Sequence, residues 1–170
     1  MKISESQKPY AEILITGATG SIGSSILQAL GATAYDQRSL LPMSCKHLII
    51  AHGSDQANLY EANVSSVIAT LNMVDVRGKT IVFCSRRSLL PDTFELEYSA
   101  TKAACLAVCK ALYNDGVNIT ALCPGWVESE MANRAGIKSV ISMDFITHTI
   151  KWLLTDPSVR IPELLMEPAI

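Results

Sequence analysis

Short apolar runs alternate along this chain with longer stretches of helical period. Glu12-Ile13-Leu14-Ile15-Thr16 is an apolar run closed by glycine and reads as a buried strand. Residues 21–30 follow as a helix, with Gly31 as its stop. Residues 32–36 read as a second strand, and 46–51, around Leu48-Ile49-Ile50, as a third. Leu59, Val64, Val67, Ile68, Leu71 and Val74 recur at helical spacing, which predicts a helix over 55–75, broken by Gly78-Lys79. A fourth strand covers 80–84, a polar loop 86–96 and a long helix 97–114, stopped by Asn114-Asp115-Gly116. Residues 117–122 are a fifth strand, 127–141 are irregular, 142–154 are helical and 163–166 form a last strand. Residues 1–12 read as a polar arm. Strands alternating with helices predict one α/β domain over 1–170: a Rossmann-like, doubly wound parallel sheet covered on both faces. Ligands of such sheets bind at the carboxyl ends of the strands, so Gly17, Asp36, Gly53, Ser85 and Pro124 should share a rim.

Composition narrows the class. Hydrophobic residues make up 49% and charged residues 18%, which is globular and not disordered. A net charge of -2 offers no basic field for nucleic acid or anionic lipid. No apolar run approaches the roughly 18 residues of a membrane span, and the polar start MKISESQKPYAE has no signal-peptide core. Five cysteines without a C-x-x-C pair predict reduced thiols in a cytoplasmic protein. Cys105 and Cys109 share a helix face as small core residues, the histidines add no ligand cluster, and no metal site is expected.

Three patterns carry candidate chemistry. Gly17-Ala18-Thr19-Gly20-Ser21-Ile22-Gly23 is a glycine-rich turn between strand and helix. Such a turn lets backbone approach a pyrophosphate, and the helix start offers free N–H groups and a positive dipole end. Asp36 lies nineteen positions after Gly17, close to the offset of about 20 at which an acid takes the adenosine ribose hydroxyls. Its charge would repel a 2′-phosphate and favours NAD(H) over NADP(H), although Arg38 stands ready to pair with that phosphate. Tyr98 and Lys102 lie one helical turn apart, and an ammonium beside a phenol lowers its pKa towards general acid–base use.

With these motifs in order, the sequence resembles the short-chain dehydrogenase/reductase family nearly end to end. Thr16 to Gly23 looks like that family's TGxxxGxG cofactor turn, with glycines at 17, 20 and 23 spaced slightly differently. Ser85 precedes Tyr98 by thirteen residues, the family's usual separation, and Asn63 stands where the family places a catalytic asparagine. Cys123-Pro124-Gly125-Trp126-Val127-Glu128-Ser129-Glu130-Met131 resembles its PG motif, whose hydroxyl residue, here Ser129, reaches the cofactor. The resemblance implies hydride transfer between a bound nicotinamide, NAD(H) or NADP(H), and a small-molecule carbonyl or secondary alcohol. Tyr98 would exchange the proton, Lys102 would tune it and hold the ribose, Ser85 would bind the substrate oxygen, and Asn63 would hold a relay water. It also implies a homodimer or homotetramer built on the long helix, where Ser99, Ala100, Ala103, Ala104 and Ala107 permit close approach.

Three departures qualify the resemblance. Only nine residues separate Asp36 from Lys46, where the family has a helix, a strand and a second helix. A helical crossover needs at least about 10–12 residues. A coil crossover through Leu40-Leu41-Pro42-Met43 is therefore expected, with six strands in the order 2-1-3-4-5-6 and an adenine pocket short of one wall. The family's N-N-A-G becomes Ile50-Ala51-His52-Gly53, with His52 read as a loop residue near the cofactor making a local hydrogen bond. Residues 127–141 leave only a brief lid, which implies an open site and a large or carrier-held substrate. Two other readings stay open. One is a non-catalytic dinucleotide-binding sensor or scaffold. The other is sugar-nucleotide epimerisation, disfavoured because a separate substrate region after the last strand is not expected.

Overall fold

The computed structural model describes residues 10–36 and 43–169. Its strands are β1 (Tyr10–Thr16), β2 (Thr33–Ala34), β3 (Met43–Ile50), β4 (Val74–Val76), β5 (Thr80–Phe83), β6 (Ile119–Pro124) and β7 (Glu163–Met166). The helices are α1 (Ser21–Leu30), α2 (Ser66–Met73), α3 (Leu96–Asn114), α4 (Glu130–Arg134) and α5 (Met143–Thr155). All strand pairings are parallel, in the order β2-β1-β3-β5-β6-β7. That is the order expected for the six predicted strands.

The central strands are apolar at successive positions because both faces of the sheet are covered. Leu14, Leu48, Ile50, Val82 and Ala121 pack on one face against Val67 of α2 and Cys105, Leu106 and Cys109 of α3. Ile15, Ile49, Ile81 and Leu122 pack on the other against Ile26 of α1 and Ile146, Ile150 and Leu153 of α5. Gly31 ends α1 in the left-handed conformation (φ +60°) and donates to Leu27 O, the cap its sequence position predicts.

Several boundaries differ from those the sequence predicts. β1 begins at Tyr10, so the last three residues of the expected polar arm belong to the sheet. β2 is reduced to two residues, and the hydrogen bond from Tyr35 N to Ile15 O continues its pairing. β3 starts at Met43, so Met43 is not part of a coil crossover. Leu40, Leu41 and Pro42 of that crossover, like Arg38, lie outside the described residues. The helix expected over 55–75 ends at Met73, and Val74-Asp75-Val76 forms a seventh strand beside the start of β3. The two β-branched residues flank an exposed Asp75, a period of two that a helical pattern absorbs without conflict. Between β4 and β5 the chain turns at Gly78, whose N–H donates to Lys46 O at 2.7 Å. A Cβ there would stand 2.6 Å from the same carbonyl oxygen, so only glycine fits. No helix among the described residues is long and apolar enough to cross a membrane.

Candidate active site

A cavity of about 530 Å³ opens at the carboxyl ends of β3, β5 and β6, between the first turn of α1 and the short helix α4. Its floor comes from the glycine-rich turn. Gly17 takes a left-handed conformation (φ +72°), and a Cβ there would lie 2.6 Å from His52 N and 2.7 Å from Ala51 C. The turn is therefore pressed against the exit of β3. At Gly23 a Cβ would meet Gly17 O at 2.0 Å, so α1 can pack on the turn only with glycine there. Gly20 is different, since its Cβ would meet Gly17 O at an ordinary 3.5 Å. Gly20 is the N-cap of α1, offers no side-chain cap, and lines the cavity with Ser21, Ile22 and Gly23. A helix start of this kind presents its first N–H groups and positive dipole end to a phosphate. The donor set and the bare glycine surface fit a dinucleotide pyrophosphate.

Ser85, Tyr98 and Lys102 line the same cavity. Ser85 follows β5 in extended conformation, and its Oγ accepts from Arg87 N at 3.2 Å. Arg87 pairs with Asp92 at 2.8 Å and with Glu95 at 3.0 Å, which ties the loop carrying Ser85 to the start of α3. Along α3, Lys102 Nζ lies 5.7 Å from the centre of the Tyr98 ring. The ammonium is buried and donates to Phe83 O at 3.5 Å. Burial holds the Lys102 pKa below its ordinary value, with the thiols of Cys105, Cys84 and Cys123 opposing the shift. Burial pushes the Tyr98 phenol above its ordinary value, and a hydrogen bond with Ser85 opposes that shift. The spacing predicts a phenol lowered by its lysine. In the protein alone, desolvation outweighs the Ser85 hydrogen bond, and Tyr98 is held as the protonated acid.

Asn63 reaches the site from a turn of π-helix, Glu61–Ser65, that opens α2. Its amide is fully buried and fully engaged. Oδ1 accepts from Ser54 N at 3.0 Å, while Nδ2 donates to Ser54 O at 2.9 Å and to Thr101 Oγ1 at 3.2 Å. It clips the loop after β3 to α3. A Cβ on Gly53 would touch both Asn63 Oδ1, at 2.7 Å, and Lys102 Nζ, at 3.0 Å. Asn63 and Lys102 therefore converge on one bare backbone position, and the asparagine amide is committed to the loop.

His52 is a second clip. Nδ1 stands 2.7 Å from Thr16 Oγ1, and Nε2 stands 2.9 Å from Ser66 Oγ. Ser66 Oγ donates to Ala62 O, so it must accept from His52 Nε2–H, and Thr16 donates to Nδ1. The local hydrogen bonding expected of this histidine is thus doubled. Burial, helped by the Lys102 charge, lowers the His52 pKa to about 4. A histidine held neutral in the fold but titrating near 6.5 when unfolded stabilises the protein fully above pH 6.5. That contribution, on the order of 3 kcal/mol, is lost as pH falls from 6.5 towards 4. Urea unfolding at pH 7 and pH 4.5 should show a larger acid destabilisation in the wild type than in His52→Gln. Equal losses would remove His52 from this role.

The remaining predicted residues divide clearly. Ala51, His52, Gly53, Pro124, Gly125, Val127 and Ser129 line the cavity. Ser129 also caps α4, accepting from Ala132 N at 3.3 Å and donating to Val127 O at 2.9 Å. Thr19 and Asp36 are exposed and stand outside the cavity lining, and Gly17 shapes the turn from behind. Pattern reading missed the walls. Trp126, Met131 and Arg134 come from the irregular lid segment, Asp55 from the loop after β3, and Glu167 from beyond β7. Arg134 pairs with Asp55 at 3.3 Å across the mouth, and Arg86 pairs with Glu167. Met131 and Arg134 stand in the five-residue α4, too short to show a period, and Trp126, Asp55 and Glu167 stand in loops, so spacing gave no signal for them.

No family model matches the sequence, and no curated protein matches it. Solved structures do. A short-chain dehydrogenase family protein from Francisella tularensis subsp. tularensis SCHU S4 superposes with a TM-score of 0.72 at 17% identity, over 93% of this chain and 96% of that one. A variant of actinorhodin polyketide ketoreductase solved with NADPH gives 0.70 at 15% identity, over 97% of each chain. A short-chain dehydrogenase from Burkholderia cenocepacia J2315 in complex with NADP gives 0.73 at 15% identity, over 95% of this chain and 89% of that one. The fold of this chain is the short-chain dehydrogenase fold.

Proposed function

We propose that this chain is an NAD(P)(H)-dependent oxidoreductase acting on a carbonyl or secondary alcohol. The observation that carries the reading is convergence. Ser85, Tyr98 and Lys102 face the cavity into which the uncapped start of α1 also points. The N–H groups of Ser21, Ile22 and Gly23 would hold the pyrophosphate, while Ala51, Gly53, Pro124, Gly125, Val127 and Ser129 would line the nicotinamide half. When bound, the nicotinamide supplies the hydride. Tyr98 Oη gives its proton to the substrate oxygen, Ser85 Oγ–H orients that oxygen, and Lys102 holds positive charge beside the phenol as it loses the proton. Asn63 and His52 position the loop between them. A phenol held above its ordinary pKa keeps its proton at neutral pH, the form that donates in carbonyl reduction. Complexes of similar structures with NADP and NADPH support a nicotinamide dinucleotide, and the Asp36 carboxylate beyond β2 favours NAD(H).

One observation favours a second reading, a non-catalytic dinucleotide sensor or scaffold. β2 has two residues, and Asp36 lies outside the cavity lining. Titration with NADH and NADPH, followed by nicotinamide fluorescence, and then a carbonyl-substrate screen with Tyr98→Phe as the dead control, separate the two. The oxidoreductase reading expects NADH to bind the wild type and Tyr98→Phe alike. Binding of neither dinucleotide would sink it.

The exposed small residues Ala100, Ala103 and Ala107 of α3, beside Phe94 and Leu96, support a homodimer or homotetramer. Light scattering that finds a monomer at every concentration would remove it. Five buried, unpaired thiols support a reducing, cytoplasmic setting.

A further inference from the structure

Behind the proton-transfer face lies a thiol cluster that hydride transfer does not use. Cys84, Cys105 and Cys109 place their Sγ atoms within 4.8 Å of one another. Cys105 and Cys109 stand four residues apart on one face of α3, and Cys84 meets them from the end of β5, next to Ser85. The Sγ atoms of Cys84 and Cys105 are 3.7 Å apart. Sulfurs held tetrahedrally about 2.3 Å from a zinc-sized ion stand about 3.8 Å apart.

The three thiols are 5%, 1% and 0% exposed, in chain order. Cys84 also lines the cavity, which gives a small ion a path to the cluster. Charge favours the same conclusion. Lys102 is buried one turn before Cys105, and among the described residues it has no carboxylate partner.

We propose that Cys84, Cys105 and Cys109 form a three-sulfur site for one thiophilic divalent d10 ion of the zinc and cadmium type. Each ligating thiol gives up its proton to solvent, and no electron moves. The two charges of the ion and the one on Lys102 offset three thiolates. Soft sulfur ligands select this class over calcium or magnesium.

The test uses the reduced, metal-free full chain titrated with Cd²⁺ and read by thiolate-to-cadmium absorption. The wild type and Cys45→Ala should each take one ion per chain, and Cys109→Ala none. Far-UV circular dichroism and a cooperative urea melt of that variant report an intact fold without relying on the metal or on NADH. Equal cadmium uptake by Cys109→Ala, or none by the folded wild type, overturns the site. Should Cys109→Ala fail to fold, X-ray absorption of the zinc-loaded wild type decides. Three sulfurs at about 2.3 Å support the site, and a nitrogen and oxygen shell refutes it. Neither readout needs turnover, so failure here leaves the oxidoreductase reading standing, and the reverse holds too.

Discussion

Replacing Tyr98 with phenylalanine should lower kcat/KM about 100- to 10,000-fold while leaving NADH affinity within about twofold. The upper end of that range corresponds to roughly 5 kcal/mol of barrier. The phenol is the only group on α3 placed beside both Ser85 and the buried ammonium of Lys102. Removing its hydroxyl deletes the acid and leaves the ring, the cavity wall and the turn of α1 in place. The pH profile tests the same assignment. Tyr98 is held above the ordinary phenol value of 10.0, so reduction by the wild type should stay level through neutral pH and fall only in strong alkali. The residual rate of Tyr98→Phe should lack that alkaline limb. A variant retaining more than about a tenth of wild-type activity would show that the proton comes from elsewhere.

The second large effect separates two glycines that a motif treats alike. Gly23→Ala would set a Cβ 2.0 Å from Gly17 O and 2.6 Å from Gly17 C, backbone atoms that cannot yield cheaply. It should cost about 3 kcal/mol or more, or roughly 10 °C in Tm. Gly20→Ala meets Gly17 O at 3.5 Å in an extended conformation (φ −81°), so its stability should stay within about 1 kcal/mol. Its added methyl lies where a phosphate would approach backbone, so NADH affinity should fall at least about tenfold, or 1.4 kcal/mol. Thermal melts and fluorescence titration on both variants check the pair. Unchanged NADH binding in Gly20→Ala would mean that the start of α1 does not hold the phosphate.

Much of this was legible in the chain, for identifiable reasons. Leu48-Ile49-Ile50 and Thr80-Ile81-Val82-Phe83 announce strands covered on both faces, and strand order follows from short connections. Ser85 and Tyr98 could be brought together because one ends a strand and the other opens the next helix. What stayed hidden is what only packing decides. Val74 fits a helical period and a strand equally well, and the pairing with Met43 selects the strand. Spacing puts Lys102 beside Tyr98 but does not reveal that both are desolvated, and desolvation sets the direction in which each titrates. Cys105 and Cys109 are visible as a pair. Cys84 lies twenty-one residues earlier and joins them only because α3 crosses the end of β5. Asp36 matched a linear offset, yet with β2 cut to two residues it stands outside the cavity lining.

The Asn63 clip also bears on how the loop after β3 opens. Loop amides ordinarily exchange their hydrogens through small local fluctuations. The Ser54 amide is held by a buried, fully paired asparagine that also bonds α3, so freeing it requires Asn63 to leave both partners. Hydrogen exchange at Ser54 should therefore be slow, approaching the rate set by unfolding of the sheet core. The loop that borders the cavity at Ala51, His52 and Gly53 then behaves in time as part of the core.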